Sequence, residues 1–309
     1  MVTISVIIPT YNAARLLPAM IGCVGTQTIP CEVIVIDSSS SDNTVEIARS
    51  SGAKTMVIAR EDFDHGGTRN LGAQQAGGDI LVFLTQDAVP DNEYFLENLV
   101  RPLENPDVAA AYGRQVPRVD AAPPERFSRL FNYPPVSFLK GRDDLLKLGI
   151  KTFFFTDVCS AVRRKEFHIV GGFPERIIMN EDMVLSAKLI LKGYKIAYAA
   201  DARVVHSHNY TMIQLFRRYF DIGVSLQENP WILELAKAGG KGAEFVREEI
   251  RYLFRERELR WLPHVFFETA AKYSGYRLGL NNRLIPRALK KKMSMHSFYW
   301  EKVNSRQKP

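Results

Sequence analysis

The chain has 309 residues, of which 46% are hydrophobic and 24% are charged, and this composition fits a globular protein with a sizeable core. No apolar run approaches the roughly 20 residues that cross a bilayer, and no leader pattern precedes the first strand pattern, so we expect neither a membrane-spanning helix nor a signal peptide. The three cysteines, Cys23, Cys31 and Cys159, lack metal-type spacing, and we expect reduced thiols in a cytoplasmic protein.

Charge is distributed unevenly along the chain. Residues 1–100 carry 5 Lys and Arg against 12 Asp and Glu, whereas the remaining residues carry 36 against 22, so the net charges are −7 and +14. The acidic part suits metal and sugar chemistry, and the basic part suggests an anionic surface or substrate. No helix-turn-helix, zinc-finger or RNA-binding signature accompanies the positive charge. We therefore expect an anionic membrane surface, and not nucleic acid, as the partner of the basic part.

Short Val/Ile/Leu runs alternate with helical patterns through the first part of the chain. Buried strands are predicted at residues 4–9, 32–37, 55–59 and 80–84, with helices at about 13–25, 42–51 and 68–77 between them. This alternation predicts an α/β fold with a doubly wound, mainly parallel sheet. A glycine-rich GxGxxG turn after the first strand and a P-loop are both absent from the sequence, which argues against an NAD-type or P-loop site.

The pattern changes twice after residue 100. Residues 100–180 are irregular and rich in proline and aromatic residues, which fits either an acceptor pocket or a loop-rich edge of the core. A helix at 181–192 and a strand at 195–199 follow. Beyond about residue 210 the sequence becomes helical, amphipathic and basic. We predict a catalytic domain at 1–210 and a helical extension at 211–309 that contacts a membrane or forms a homodimer.

Polar residues follow three of the predicted strands, and ligands of such sheets bind outside the carboxyl ends of the strands. The carboxylate of Asp37 could accept the N3–H of a uracil or thymine ring, although it could also form a turn. Asp87 could hold a divalent ion that bridges two phosphates, although an aspartate before a Pro-containing turn is common. Thr10-Tyr11-Asn12 after the first strand lies at the same edge and strengthens both interpretations.

In their order and spacing, four segments resemble the motifs of family-two glycosyltransferases with a GT-A fold. They are Ser5-Val-Ile-Ile-Pro9-Thr-Tyr-Asn12, Asp37-Ser-Ser-Ser-Ser-Asp42, Arg69-Asn70-Leu-Gly72 and Leu84-Thr-Gln-Asp87. The resemblance implies a GT-A-like fold and inverting sugar transfer from a nucleotide-sugar donor. The residues expected at the nucleotide are Pro9, Thr10, Tyr11, Asn12, Asp37, Ser39, Arg69, Asn70 and Gln86. Thr85 departs from the family's Asp-x-Asp metal motif, which leaves Asp87 as its carboxylate for Mg²⁺ or Mn²⁺.

The resemblance also assigns the catalytic pair. Asn180-Glu181-Asp182 opens a predicted helix where the family has its Glu-Asp pair, so Glu181 and Asp182 are expected to be catalytic, with Asp182 as the base that deprotonates the acceptor hydroxyl. Alternatively, Asn180 caps the helix and the two acids favour its dipole. Both interpretations can hold, because a helix N-terminus favours an ionised carboxylate.

A histidine is expected to complete the metal site. His206 stands where the family has a metal-ligating histidine, and it could replace the missing carboxylate, with His208 as the second candidate. A neutral imidazole suits Mn²⁺ somewhat more than Mg²⁺. A structural role for His206 is the alternative.

Residues 63–70, Phe-Asp-His-Gly-Gly-Thr-Arg-Asn, resemble the variant found in bacterial rhamnosyltransferases that use dTDP-L-rhamnose. Asp64, His65 and Gln86 are then expected at the donor sugar, although a loop followed by a capped helix is the plain alternative. We expect rhamnose transfer to a glycan or a polyprenyl-diphosphate-linked acceptor at the inner face of the cytoplasmic membrane. A UDP-sugar donor, or a catalytically silent nucleotide-sugar-binding protein in view of Thr85, are the alternatives.

Overall fold

A mixed sheet forms the centre of the computed structural model, which describes residues 2–236 and 241–302. Its strands are β1 (Ile4–Thr10), β2 (Glu32–Asp37), β3 (Lys54–Val57), β4 (Ile80–Leu84), β5 (Val89–Pro90), β6 (Val108–Val116), β7 (Phe138–Lys140), β8 (Cys159–Arg163) and β9 (Lys195–Val205). Their spatial order is β3-β2-β1-β4-β8-β6-β9-β5, and β7 pairs with β9. The strands β1 to β4 are parallel, whereas β8 runs antiparallel to its neighbours β4 and β6. The expected α/β class and doubly wound arrangement are confirmed.

Helices cover both faces of this sheet. They are α1 (Leu17–Gly25), α2 (Thr44–Ser50), α3 (His65–Gln75), α4 (Phe95–Val100), α5 (Pro123–Asn132), α6 (Leu145–Leu148), α7 (Arg164–Ile169), α8 (Glu181–Leu191), α9 (Met212–Glu228), α10 (Pro230–Leu235), α11 (Lys241–Arg255), α12 (Leu262–Leu280), α13 (Arg287–Met293) and α14 (Tyr299–Lys302). Successive residues of a strand point to opposite faces, so Ile7 packs towards α3 and α8, whereas Val6 and Ile8 pack towards α1 and α4.

Several predicted boundaries were wrong. The helix after the first strand begins at Leu17, and α3 begins at His65 because Asp64 caps it by accepting the Gly67 N–H at 2.7 Å. The irregular stretch 100–180 contains β6 and β8, two interior strands of the sheet. The three consecutive alanines of β6 have low strand propensity, and their burial in the sheet overrides it.

The carboxyl-terminal helices α9 and α12 cross at a short distance, at a point where both helices carry glycines. A Cβ at Gly279 would lie 2.1 Å from the Phe220 carbonyl oxygen, and one at Gly275 would lie 2.3 Å from that of Phe216. Phe220 in turn packs with Ile178 and Trp300, so the helical extension rests on the loop that precedes α8. The division of the chain at residue 210 stays a prediction. Within the described residues, no helix has both the length and the apolar character needed to cross a bilayer.

Gly279→Ala is expected to destabilise the protein by about 1–3 kcal/mol, because the added methyl group must push the two helices apart. Thermal unfolding checks this expectation. Gly22→Ala is the matched control, since Gly22 lies in α1 with no atom within 4 Å of the position of its Cβ. That control should be neutral or slightly stabilising, by up to about 1 kcal/mol. Equal melting temperatures for Gly279→Ala and the wild type would contradict the close crossing.

Candidate active site

The ends of β1 and β2 form a tightly hydrogen-bonded edge. The Asp37 side chain is fully buried and accepts the Thr10 Oγ1–H at 2.9 Å, the Ser40 N–H at 2.8 Å and the Ser40 Oγ–H at 2.5 Å. A carboxylate offers about four lone-pair sites, so one acceptor position of the buried Asp37 is left unused by these three contacts. Ser39 has a left-handed backbone (φ 56°), and its hydroxyl donates to the Ile58 carbonyl at 2.8 Å.

The loop after β1 is fixed against the loop after β4. The Tyr11 N–H donates to Gln86 Oε1 at 2.8 Å, and Gln86 Nε2 donates back to the Tyr11 carbonyl at 3.2 Å. The guanidinium carbon of Arg60 lies 3.3 Å from the centre of the Tyr11 ring. Asn12, which also has a left-handed backbone (φ 48°), accepts the Ser41 N–H at 2.9 Å. The structure therefore brings Thr10, Tyr11, Asn12, Asp37 and Gln86 to one edge of the sheet. Arg69 and Asn70, which were also predicted at the nucleotide, lie on α3, where they contact Asp157 and the Phe173 backbone.

Asp87, His206 and His208 form a group that could hold a metal ion. The Nε2 atoms of His206 and His208 lie 3.5 Å and 3.3 Å from Asp87 Oδ2, and one ligand atom from each residue lies within 4.8 Å of the others. Burial raises the pKa of Asp87, but the two imidazoles outweigh it and hold the pKa below its usual range. Burial lowers the pKa of His208 to about 4, so this side chain is neutral at pH 7. Both histidines contact Asp87.

Gln115 fixes the orientation of His206. Gln115 Oε1 lies 2.9 Å from His206 Nδ1 and also accepts a hydrogen bond from Arg129. Because a carbonyl oxygen can only accept, Nδ1 carries a proton, and Nε2 is the ring nitrogen that faces Asp87. Arg129 is held in turn by Glu125, whose carboxylate accepts the His208 N–H at 3.2 Å. Ligand atoms that converge in this way fit a divalent cation, and Gln115 lies behind His206 as a hydrogen-bond acceptor lies behind a metal-bound histidine.

A second cluster surrounds the predicted catalytic pair. Arg69 Nε lies 2.8 Å from Asp157 Oδ2, and Arg69 Nη1 lies 3.5 Å from Glu181 Oε1, with all three side chains buried. Asp182 follows at the start of α8, where the Met183 N–H donates to Asp182 Oδ1 at 2.7 Å. Thr156, next to Asp157, accepts a hydrogen bond from Gln115 Nε2 at 3.2 Å. Residues 156–157 therefore connect the metal group to the catalytic pair.

The electrostatics of this cluster differ from expectation. Burial, together with the charges of Asp157 and Glu181, raises the pKa of Asp182 well above its ordinary value. The expectation that the helix N-terminus keeps Asp182 ionised was wrong, because one N–H contact cannot offset burial beside two carboxylates. Burial likewise raises the pKa of Asp157 to about 6. Asn180 does not cap α8 with its side chain, since its backbone is left-handed (φ 66°) and no side-chain capping bond forms.

Asp64, predicted at the donor sugar, and Asn70, predicted at the nucleotide, both hold the loop that leads to Asp182. Asp64 accepts the Gly67 N–H at 2.7 Å and the Arg176 N–H at 2.9 Å, and Asn70 exchanges two hydrogen bonds with the Phe173 backbone. A Cβ at Gly66 would lie 2.0 Å from the Pro174 carbonyl oxygen. The absence of a side chain at Gly66 therefore lets α3 approach this loop closely. Contact of Asp64 and His65 with the sugar stays a prediction.

Sequence reasoning missed Asp157, Gln115 and Arg129. Asp157 precedes β8, whose antiparallel direction places it beside the carboxyl end of β4, where Leu84 pairs with Cys159. A polar residue before a strand is informative only once the direction of that strand is known. Gln115 lies near the end of β6. A correct prediction of this strand would have placed Gln115 among the polar residues at the strand ends.

Comparison with known proteins gives a consistent result. The model of the family described as Glycosyl transferase family 2 matches residues 5–169. The O-antigen chain rhamnosyltransferase RfbN of Salmonella typhimurium is 43% identical over 304 residues, covering 97% of this chain and 96% of the relative. The O-antigen chain rhamnosyltransferase WbaN of Salmonella anatum is 42% identical over 307 residues, covering 98% and 97%.

Solved structures show a similar fold. The mannosyltransferase PcManGT from Pyrobaculum calidifontis, solved with GDP-Man and Mn²⁺, has a TM-score of 0.63 at 18% identity, covering 91% of this chain and 88% of that chain. Residues 1–349 of TarS from S. aureus have a TM-score of 0.55 at 16% identity, covering 91% of each chain. At these identities the likeness concerns the fold alone, and it extends over the carboxyl-terminal helices as well as the sheet.

Proposed function

We propose that this chain, which belongs to glycosyl transferase family 2, transfers L-rhamnose from dTDP-β-L-rhamnose. The acceptor is a hydroxyl of a glycan or lipid-linked molecule in O-antigen synthesis. The observation that carries the proposal is that the metal group and the catalytic pair meet through residues 156–157 at the strand ends. The full-length similarity to two O-antigen chain rhamnosyltransferases supports the choice of sugar.

Asp182 acts as the base in this proposal. Its raised pKa makes it a stronger base than a solvated aspartate once it is ionised. It takes the acceptor proton while the acceptor oxygen bonds to the anomeric carbon and the bond to the diphosphate breaks. One displacement inverts the configuration, so a β-linked donor gives an α-linked product. Arg69 positions the site by holding Asp157 and Glu181, both beside Asp182.

Asp87, His206 and His208 would hold a divalent cation, with Mn²⁺ favoured by the two imidazoles. Such a cation, when bound, stabilises the charge that develops on the diphosphate leaving group. Asp37, Thr10 and the Tyr11–Gln86 pair would receive the nucleotide at the adjacent strand ends. Gln115 keeps the lone pair of His206 directed at the site.

Gln115→Leu is expected to weaken Mn²⁺ binding by about 10- to 100-fold, because His206 loses the acceptor that fixes its tautomer. Titration calorimetry with Mn²⁺ measures this directly, without a need for turnover. Gln75→Leu in α3 is the matched control and should bind Mn²⁺ like the wild type. Unchanged affinity in Gln115→Leu would show that Gln115 does not support a metal ligand.

The donor assignment is tested by binding of dTDP-rhamnose, UDP-glucose, UDP-GlcNAc, UDP-galactose and GDP-mannose, each with and without Mn²⁺. The proposal expects metal-dependent preference for dTDP-rhamnose. Preference for a UDP-sugar would overturn the choice of rhamnose and leave sugar transfer in place. Binding of none of them would favour a catalytically silent protein.

A peripheral position at the inner face of the cytoplasmic membrane completes the proposal. Exposed aromatic residues such as Phe254, Phe266 and Phe267 lie on the same helices as a series of basic side chains, which suits an anionic interface. Those basic residues are Arg247, Arg251 and Arg255 of α11, and Arg260 follows in the turn before α12. Sedimentation with anionic liposomes at low salt tests the proposal, and failure to co-sediment would remove it. A homodimer through these helices remains the alternative proposal, tested by analytical ultracentrifugation.

A further inference from the structure

The segment after α13 returns to the active site and closes a cavity there. The cavity has a volume of about 810 Å³ and lies between α3, the loop that leads into α8 and residues 296–299. The His296 ring lies 4.7 Å from the His65 ring, and the Phe298 ring lies 6.2 Å from the Phe63 ring. Aromatic side chains from two distant parts of the sequence therefore form one wall.

Anchors on both sides hold this segment in place. The buried Asp221 of α9 accepts the Met295 N–H at 2.8 Å, and the Arg287 Nε–H donates to the Trp300 carbonyl at 2.7 Å. The Trp300 side chain is buried against Phe220. The wall is consequently a fixed part of the fold.

The cavity borders the catalytic cluster. His65 lines it, and His65 Nδ1 lies 3.8 Å from Glu181 Oε1, next to the predicted base. Asp37, Asp87 and His206 do not line it, whereas Asp64 and His65, predicted at the donor sugar, and Asn70, predicted at the nucleotide, do. The cavity is thus adjacent to the reacting groups but separate from the strand ends expected to receive the nucleotide diphosphate.

The lining favours an uncharged, hydroxyl-rich ligand. Asp62, Asp64 and Glu175 contribute three carboxylates against the guanidinium of Arg176, so a phosphate or diphosphate would be repelled. Burial lowers the pKa of His65 to about 4 and that of His296 to about 3, so neither adds positive charge at pH 7. Aromatic walls with a few polar groups, in a volume between about 300 and 1,000 Å³, are typical of small-molecule sites.

We propose that this cavity binds the sugar rings of the acceptor glycan, with His296 and Phe298 as contact residues. The inference rests on the proposed glycosyl transfer and names where its second substrate lies. The aromatic rings pack against the C–H faces of the sugar. The carboxylates accept hydrogen bonds from its hydroxyl groups. The volume leaves room for more than one ring, so a disaccharide should bind better than a monosaccharide.

Saturation-transfer NMR tests this with methyl glycosides of rhamnose, galactose, mannose and glucose, each as a monosaccharide and as a disaccharide. We expect the wild type to bind at least one disaccharide, and Phe298→Ala and His296→Ala to bind it about 10-fold more weakly or not at all. Tyr94→Ala and His168→Ala are the matched controls, since both residues are exposed and lie outside the cavity. Affinity for dTDP-rhamnose should stay unchanged in all four variants.

Three results would overturn the proposal: wild-type protein that binds no member of the panel, cavity variants that bind the disaccharide normally, or cavity variants that lose the donor instead. Thermal unfolding checks that each variant is folded. If Phe298→Ala does not fold, the binding measured with His296→Ala decides the question. Failure of the wild type to bind dTDP-rhamnose would count against the proposed function, whereas intact donor binding without glycan binding counts against this inference alone.

Discussion

Asp182→Asn is expected to lower kcat for sugar transfer by about 10²- to 10⁴-fold while the affinity for the nucleotide-sugar donor stays nearly unchanged. The amide keeps the size of the side chain but cannot take the acceptor proton. Transfer assays and donor titrations on the same preparation separate the two effects. Asp201→Asn is the matched control, because the side chain of Asp201 is 73% exposed and its contact with Arg101 is long, at 3.9 Å.

The pH profile supplies an independent check on Asp182. A base works in its ionised form, so kcat/KM should rise as pH increases through the raised pKa of Asp182. Burial is the first cause of that raised pKa, and the charges of Asp157 and Glu181 add to it. Glu181→Gln removes one negative charge, lowers the pKa of Asp182 and should move the acidic limb to lower pH. A limb that stays in place, or full turnover by Asp182→Asn, would refute the assignment of Asp182 as the base.

The gathering of polar residues at the ends of β1, β2 and β4 could be predicted from the sequence, because the information is local. Each predicted site residue there follows a run of Val, Ile and Leu, and parallel strands place their carboxyl ends together without further knowledge. Asp37 and Asp87 were found in this way, at the ends of two strands that both flank β1. The position at which a strand ends can be predicted from the hydrophobic pattern alone.

The support behind the site could not be predicted, because it depends on strand direction and burial. Asp157 reaches the same edge from the beginning of an antiparallel strand, so position along the chain gave no hint. Gln115 lies in β6, whose alanines resemble an irregular segment until they are packed. The direction of the pKa shift at Asp182 likewise depends on its burial beside Asp157 and Glu181. A helix N-terminus alone predicts a lowered pKa.

The carboxyl-terminal segment is the clearest case of tertiary information. His296 and Phe298 stand more than 220 residues beyond His65 and Phe63 in the sequence, and nothing local connects them. They meet because α9 and α12 cross closely at glycines and because Asp221 anchors the returning chain. A pattern of basic, amphipathic helices predicted a surface element, whereas the structure also makes it a wall of the active site.

Asp87→Asn is expected to weaken Mn²⁺ binding and lower metal-dependent kcat/KM, each by at least about 10²-fold, as losing one ligand exceeds the effect of losing a supporting partner. Thr85 occupies the first position of the usual Asp-x-Asp motif, so Asp87 brings the negative charge to the metal group, and without it the two histidines alone face the cation.

The two histidines should not be equivalent in the same experiment. Their Nε2 atoms lie at similar distances from Asp87, but the side chain of His206 is 6% exposed and held by Gln115, whereas that of His208 is 37% exposed. A preorganised ligand loses less entropy on binding, so His206→Ala should weaken Mn²⁺ binding more than His208→Ala. Calorimetry on the three variants, with Asp201→Asn as control, ranks these contributions. Metal-dependent turnover in Asp87→Asn within about threefold of wild type would place the cation elsewhere, since no intact site of this kind tolerates the loss of its charged ligand.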